Sequence, residues 1–191
     1  ANGPFCATGA GQLTWTATAG TGSYTVVYND GTSNRTANTV TSGTPFATFT
    51  TPVTSTTTYT LVSVTDANTC VRSSGFTGGS STITVNPLPT LTGASQAATV
   101  CDGTGATINL TGLLASSTFT VDYKINTVAQ TAVTGVVSNV SGAASFTSAA
   151  LTSANNGQTL QITGLTVTTP ATGCTAAFAQ NVTMAVNPSP Q

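Results

Sequence analysis

The groups in this 191-residue chain that could do chemistry are four carboxylates (Asp30, Asp66, Asp102, Asp122) and four thiols (Cys6, Cys70, Cys101, Cys174). Three cations, Arg35, Arg72 and Lys124, complete the charged set, and the chain has no His and no Glu. Without an imidazole, neither a Ser-His-Asp nor a Cys-His relay can be built. Asp30, Asp66 and Asp102 sit beside Gly or Ala in turn-like contexts, where a carboxylate favours bonds to its own backbone. Glycoside hydrolysis needs two carboxyls that converge. The chain is therefore expected to be no enzyme and to need no cofactor. Calcium is the remaining ionic idea. Asp66 and Asn68 share one turn and form the best candidate pair, but hard cations want six or more oxygens, so a structural turn is the preferred reading. Lys124, alternating with Asp122 opposite Tyr123 and Ile125, could in principle be joined to an Asn by an isopeptide bond; a solvated Asp–Lys pair is the preferred reading.

The cysteines form no CxxC pair, which with the lack of His excludes the common zinc spacings. Two of them lie in each half of the chain. Pairing within each half, Cys6 with Cys70 and Cys101 with Cys174, is the simplest of the three pairings open to four cysteines. Four buried free thiols are the alternative. Disulfides would place the protein in an oxidising compartment outside the cytoplasm.

Charged residues are only 4% of the chain, against roughly a quarter in ordinary globular proteins, and the net charge is -1. Scattered cations cannot track phosphates, so nucleic acid is not expected as a partner. An anionic membrane surface is disfavoured for the same reason, and no apolar run is long enough to span a bilayer. There is no signal peptide and no initiator Met, so a mature chain or an excised piece is expected. Thr and Val dominate, and β-branched side chains suit a pleated surface.

The elements that would position these groups are strands. The run Ile83 to Thr90 reads as a strand ending in a stiff connector, Asn86-Pro87-Leu88-Pro89, because each proline removes a donor and extends the residue before it. Asn187-Pro188-Ser189-Pro190 repeats the phrase at the other end, 101 residues on. This is an internal repeat of domain size. The expected organisation is a first domain over 1–86, a connector over 87–90, a second domain over 91–187, and the start of a further connector over 188–191. In the first half, strands are read around Leu13 and Trp15, and over Ser23 to Asn29, Thr36 to Thr41, Phe46 to Thr50, Thr57 to Asp66 and Ser81 to Asn86. Asn29-Asp30-Gly31 supplies a hairpin turn. In the second half they run over Thr107 to Leu110, Thr118 to Asn126, Val133 to Val140, Ala144 to Leu151, Thr159 to Thr169 and Ala177 to Val186. About seven short strands per ninety residues is the pattern of an immunoglobulin-type β-sandwich. The fold class expected is all-β, two tandem immunoglobulin-like sandwiches with one disulfide in each. Tyr59 stands where the tyrosine corner of such sandwiches sits, and Trp15 is a candidate core aromatic.

The run YTLVSVTDANTC (Tyr59 to Cys70), followed by STITVNPLPT (Ser81 to Thr90), resembles the tandem Ig-like or PKD-like repeats of large secreted proteins of Bacteroidetes and Flavobacteria. SYTVVYNDGT (Ser23 to Thr32) is similar to their early hairpin. The resemblance covers most of residues 1–90 and is weaker beyond. It implies modules of a cell-surface adhesin stalk or filament, exported by type IX secretion, whose partners are neighbouring copies of similar modules. It carries over no catalytic or binding residue. Surface glycans are a second partner class, for which Tyr28, Phe76 and Tyr123 are the candidate exposed aromatics. A self-assembling filament subunit, with a segment such as Ala1 to Phe5 docking on the next copy, is a third reading. Four sequons, at Asn34, Asn109, Asn139 and Asn181, are expected by chance in so Thr-rich a chain and to be unused. Thr-x-Thr runs such as Thr14-Trp15-Thr16 and Thr82-Ile83-Thr84 read as exposed strand faces rather than an ice-binding array.

Overall fold

The computed structural model describes residues 1–190. Among them the chain is all-β apart from one 3-10 turn, Ser153–Asn155. It separates into two compact units, Ala1–Pro87 and the residues from Leu88 on.

Unit 1 contains β1 (Phe5–Cys6), β2 (Gln12–Thr14), β3 (Tyr24–Asn29), β4 (Asn34–Val40), β5 (Pro45–Ala47), β6 (Thr57–Thr65), β7 (Val71–Arg72), β8 (Ser80–Ile83) and β9 (Val85–Asn86). One sheet is the pair β2–β5. The other runs β4-β3-β6, with β7 and β8 both on the far side of β6. β1 closes the unit by pairing in parallel with β9, Cys6 opposite Asn86. β6 is apolar on both faces because it lies at the centre of its sheet, between β3 and the two short final strands. The Asn29-Asp30-Gly31 turn joins β3 to β4 with Asn29 opposite Asn34. Asp30 tightens it, its Oδ1 accepting from the N–H groups of Thr32 and Ser33.

Unit 2 repeats this order with an added leading strand, β10 (Gly93–Gln96), and an added short β14 (Val128–Ala129); its other strands are β11 (Val100–Cys101), β12 (Gly105–Thr111), β13 (Thr118–Ile125), β15 (Val133–Val137), β16 (Ala144–Ala150), β17 (Thr159–Thr169), β18 (Thr175–Thr183) and β19 (Val186–Asn187). Its sheets are β10-β12-β16 and β14-β13-β17-β18, with β15 also on β13. β11 and β19 pair in parallel, Cys101 opposite Asn187. The two units therefore share an architecture of two facing sheets closed by a parallel bridge between an early and the last strand, the immunoglobulin-like arrangement. The match extends to single bonds. Leu13 faces Phe46 as Ile108 faces Phe146. Asn2 N–H donates to the Gln12 carbonyl (3.1 Å) as Ala97 N–H donates to that of Thr107 (2.9 Å).

The cores differ. In unit 2 alternation along β12, β13 and the first half of β17 sends Ile108, Leu110, Phe119, Val121, Leu160 and Ile162 into one continuous cluster, all fully buried. Unit 1 holds two smaller clusters, one around Leu13, Tyr28, Val53, Tyr59 and Ile83, the other around Tyr24, Val26, Val40 and Val64.

Two expectations are corrected. Neither Cys6–Cys70 nor Cys101–Cys174 forms: Cys70 and Cys101 are exposed free thiols, and Cys6 and Cys174 are half-cystines. Strand geometry gives the reason. Cys6 lies beside β9, at the pole where β6 begins, and Cys70 follows the end of β6. A nine-residue strand separates those poles by roughly 26 Å at 3.3 Å per residue, far beyond the roughly 7 Å between Cα atoms that a disulfide tolerates. In unit 2, Cys101 lies at the pole where β17 begins, and the Cys174 carbonyl accepts from Val167 N–H near its end. The second correction concerns Tyr28 and Tyr123, expected as exposed aromatics. They are 4% and 3% exposed, because each shares the inward face of its strand with Val26 or Val121.

Candidate functional site

Unit 1 holds a cleft of about 460 Å³, within the range of small-ligand sites. It exists because the last strand is interrupted. In unit 2, β18 runs unbroken beside β17 over nine residues. In unit 1 the corresponding stretch leaves the sheet after Arg72 and rejoins at Ser80. Gly75 and Gly78, at φ +68° and +66°, take backbone conformations that only glycine adopts without strain. The resulting loop turns Phe76 back toward Leu61 and the Trp15–Tyr24 pair.

Trp15, just past β2, is half-buried and packs edge-on against Tyr24, with centroids 4.7 Å apart and planes at 68°. Phe76 is half-buried too, with the Arg72 guanidinium 5.3 Å from its centroid. Arg72 also donates through Nε to the Ser74 carbonyl (3.0 Å) and to the carbonyl of Gly75. Asp66 forms the polar wall. Its Oδ1 accepts from Asn68 and Cys70 N–H (both 2.9 Å) and its Oδ2 from Thr21 N–H (3.3 Å). These donors, Cys70 first, hold its carboxyl below the usual range. The Asp66–Asn68 candidate calcium pair is thus a turn clamp: Asn68 Nδ2 points to Thr21 Oγ1 (3.1 Å), and no cluster of three metal-ligating side chains occurs among the described residues.

The other candidates are dispersed. Asp30 is paired with Arg35 (2.6 Å), whose guanidinium also lies 4.0 Å from the Phe49 ring centroid. Arg35 and then the Ser33 N–H hold the Asp30 carboxyl well below the carboxylate range. Asp102 accepts from Ser153 N–H (3.2 Å). Asp122 is exposed beside Gly164, and Lys124 is half-buried opposite Gln161. Of the connector residues, Asn86 ends β9 opposite Cys6 and Pro87, Leu88 and Pro89 follow it, and Thr90 Oγ1 anchors the start of unit 2 on the Gly112 carbonyl (2.6 Å). Ala1 to Phe5 is held in its own unit, through Ser81, Gln12 and Thr84. The sequon residues Asn34, Asn109, Asn139 and Asn181 are all exposed, and Asn139 caps its own turn. Thr58 and Thr82 hydroxyls bond across the β6–β8 ladder (2.8 Å), as exposed strand faces should.

Sequence reasoning missed one feature that both units share. Tyr28 Oη accepts from Phe49 N–H (2.8 Å), and Tyr123 Oη accepts from Ala149 N–H (2.7 Å). Each hydroxyl crosses the sandwich to the backbone just past or within the facing strand. The Tyr59 ring packs against Tyr28 at 5.9 Å, but the hydroxyl that ties the backbone is that of Tyr28. The available signal was a Tyr on the apolar face of a strand, since a buried phenol needs a partner.

No family model matches the chain, and no curated protein does. Among solved structures it is similar to a chimeric titin Z1Z2-Z1Z2 tandem functionalised with an exogenous GRGDS peptide from fibronectin. That likeness has 15% identity and a TM-score of 0.32, over 85% of this chain and 83% of the other. The immunoglobulin-like class itself follows from the strand order and parallel bridge that the two units share.

Proposed function

We propose that the chain is a pair of structural repeat modules in an extracellular stalk or filament of a bacterial cell-surface protein. The observation that carries this reading is the repetition of one closed sandwich on either side of a proline connector, with the same tyrosine clamp in each unit. The role is mechanical. The sandwiches resist extension, the prolines restrict the connector, and a surface of hydroxyls and amides meets neighbouring modules with little charge repulsion. Half-cystines at Cys6 and Cys174 suit an oxidising location. The carboxylates are spent on turns, a salt bridge or solvent, which supports a non-catalytic role. Antibodies raised against the chain should label filaments outside intact source cells in immunogold microscopy; label confined to the cytoplasm would overturn the reading.

The cleft favours a second reading, a glycan-binding module on the same fold. Trp15 and Phe76 offer apolar faces to a sugar ring, and the Thr hydroxyls around them offer hydrogen bonds. Binding on a glycan array that disappears in both Trp15→Ala and Phe76→Ala, with the fold intact, supports it; no binding by the wild-type chain ends it.

A further inference from the structure

The four cysteines occupy two equivalent positions, and each position occurs once as a half-cystine and once as a thiol. One is the short strand at the pole where the chain leaves the unit: Cys6 opposite Asn86, Cys101 opposite Asn187. The other is the loop beside the end of the long central strand, at the far pole. There the Cys70 carbonyl accepts from Asp66 N–H (3.0 Å) and the Cys174 carbonyl from Val167 N–H (2.9 Å). Cys6 and Cys174 are the half-cystines; Cys101 and Cys70 are the thiols, both exposed. Each position is therefore competent for disulfide formation in this fold, and each is left open once.

We propose that Cys101 and Cys70 are complementary halves of a disulfide that joins copies of this chain, Cys101 of one to Cys70 of the next; this rests on the repeat-module reading above. Two features favour the unlike pair. First, the thiols lie at opposite poles of their units. A head-to-tail link propagates by repeating one contact, Cys101 on Cys70, whereas symmetric links would need two different self-complementary contacts, Cys70–Cys70 and Cys101–Cys101, in alternation. Second, Asp102 neighbours Cys101 and Arg72 lies two residues from Cys70. Unlike pairing brings Asp102 toward Arg72, whose guanidinium is held on the Ser74 and Gly75 carbonyls, and a Cys101–Cys101 link sets two carboxylates together. The Asp66 carboxylate in the Cys70 loop is turned onto three backbone N–H groups.

The oxidant is a small-molecule disulfide such as oxidised glutathione. The Cys101 thiolate attacks it, forming a mixed disulfide and releasing one glutathione thiolate. The Cys70 thiolate of the second copy then attacks the Cys101 sulfur, forming the Sγ–Sγ bond and releasing the other. Two protein thiols are oxidised, one glutathione disulfide is reduced to two thiols, and the protein's protons go to the released thiolates or solvent.

The test is non-reducing electrophoresis of the concentrated wild-type chain in a glutathione redox buffer, with mass spectrometry of the linked peptides. A ladder of multimers is expected, and Cys70→Ser or Cys101→Ser alone should stop it at dimers. An equimolar mixture of the two variants should give the Cys70–Cys101 bridge in excess of the two symmetric bridges combined, which random coupling would only equal. Both residues are exposed, so unchanged circular dichroism spectra will show that the variants fold. Wild type that stays monomeric, or symmetric bridges that equal or exceed the mixed one, overturns the proposal. Failure of the repeat-module reading would show instead in the immunogold label, whatever the gel shows.

Discussion

Removing one oxygen atom tests the tyrosine clamp directly. Tyr123→Phe keeps the ring that packs 5.3 Å from Phe146 and deletes only the acceptor of Ala149 N–H. A neutral hydrogen bond is worth about 1 kcal/mol net, and a donor left without a partner away from water costs about 1–3 kcal/mol. Ala149 is only half-buried and belongs to the core-lining strand β16, so the expected loss is about 1–3 kcal/mol. Tyr28→Phe makes the same deletion opposite Phe49, which is 66% exposed. Water can reach that N–H, so the expected loss falls to about 0.5–1.5 kcal/mol. Each kcal/mol should lower the melting temperature of a unit of this size by about 4–8 °C. Because two units need not unfold together, the assay is calorimetry resolving both transitions, with hydrogen exchange at the Ala149 amide as the local readout. Tyr123→Ala serves as the packing control and should cost about 3–5 kcal/mol. The reasoning fails if Tyr123→Phe lies within about 0.5 kcal/mol of wild type, inside the range of inconsequential surface changes, or if Tyr28→Phe is the more damaging of the pair.

Unit 1 should melt before unit 2, because its buried side chains are split into two small clusters beside an open cleft while those of unit 2 form one; a calorimetric trace in which Tyr123→Phe moves the lower transition would contradict this. A thiol reagent should titrate two thiols per monomeric chain, Cys70 and Cys101; none in a chain that runs as a monomer on a non-reducing gel would mean that the bridges lie within the units after all. Acid should weaken unit 1 selectively through Asp66 and Asp30, whose folded pKa values lie below those of the free carboxyl. A depressed folded pKa gives stability that is present above the unfolded pKa of about 4 and lost as pH falls through the folded value. The unit-1 transition should therefore drop below about pH 4, and Asp66→Asn with Asp30→Asn should flatten that drop; an unchanged slope removes these two groups from the account.

The longer strands were legible because their signals are local; β1, β7, β10, β11 and β14, of two to four residues, are too short to show an alternation. Alternation over Thr118 to Asn126 marks β13, although Tyr123, which lies on its inward face, is read from the sequence as exposed. The run Thr57 to Asp66 marks the long strand β6, and Asn29-Asp30-Gly31 fixes the first hairpin. The cysteine pairing was not legible, because the position of a residue along the chain does not say which pole of a sandwich it occupies. Cys6 and Cys70 bracket unit 1 in sequence and stand at its two ends in space. The cleft was hidden for a related reason. The glycines of residues 75–79 mark a loop, but only the register on either side, Val71 opposite Thr65 and Ser80 opposite Thr60, shows that the loop interrupts a strand and turns Phe76 inward.

The tyrosine clamp marks the level at which the repeat is best defined. In unit 1 the ring of Tyr28 lies 6.1 Å from Phe46, and its hydroxyl meets the N–H three residues on, at Phe49. In unit 2 Tyr123 lies 5.3 Å from Phe146, and its hydroxyl meets the N–H three residues on, at Ala149. The donor's side chain differs between the units because the backbone alone supplies the bond. What must be kept is the ring that positions the hydroxyl and the phenylalanine that positions the ring. A comparison of side chains at the donor would find no likeness between Phe49 and Ala149. The constraint instead joins a Tyr on the strand beside the long central one (β3 beside β6, β13 beside β17) to a Phe on the strand facing it, with three residues from Phe to donor. Further copies of the module can be sought by that pattern where overall identity is too low to show them.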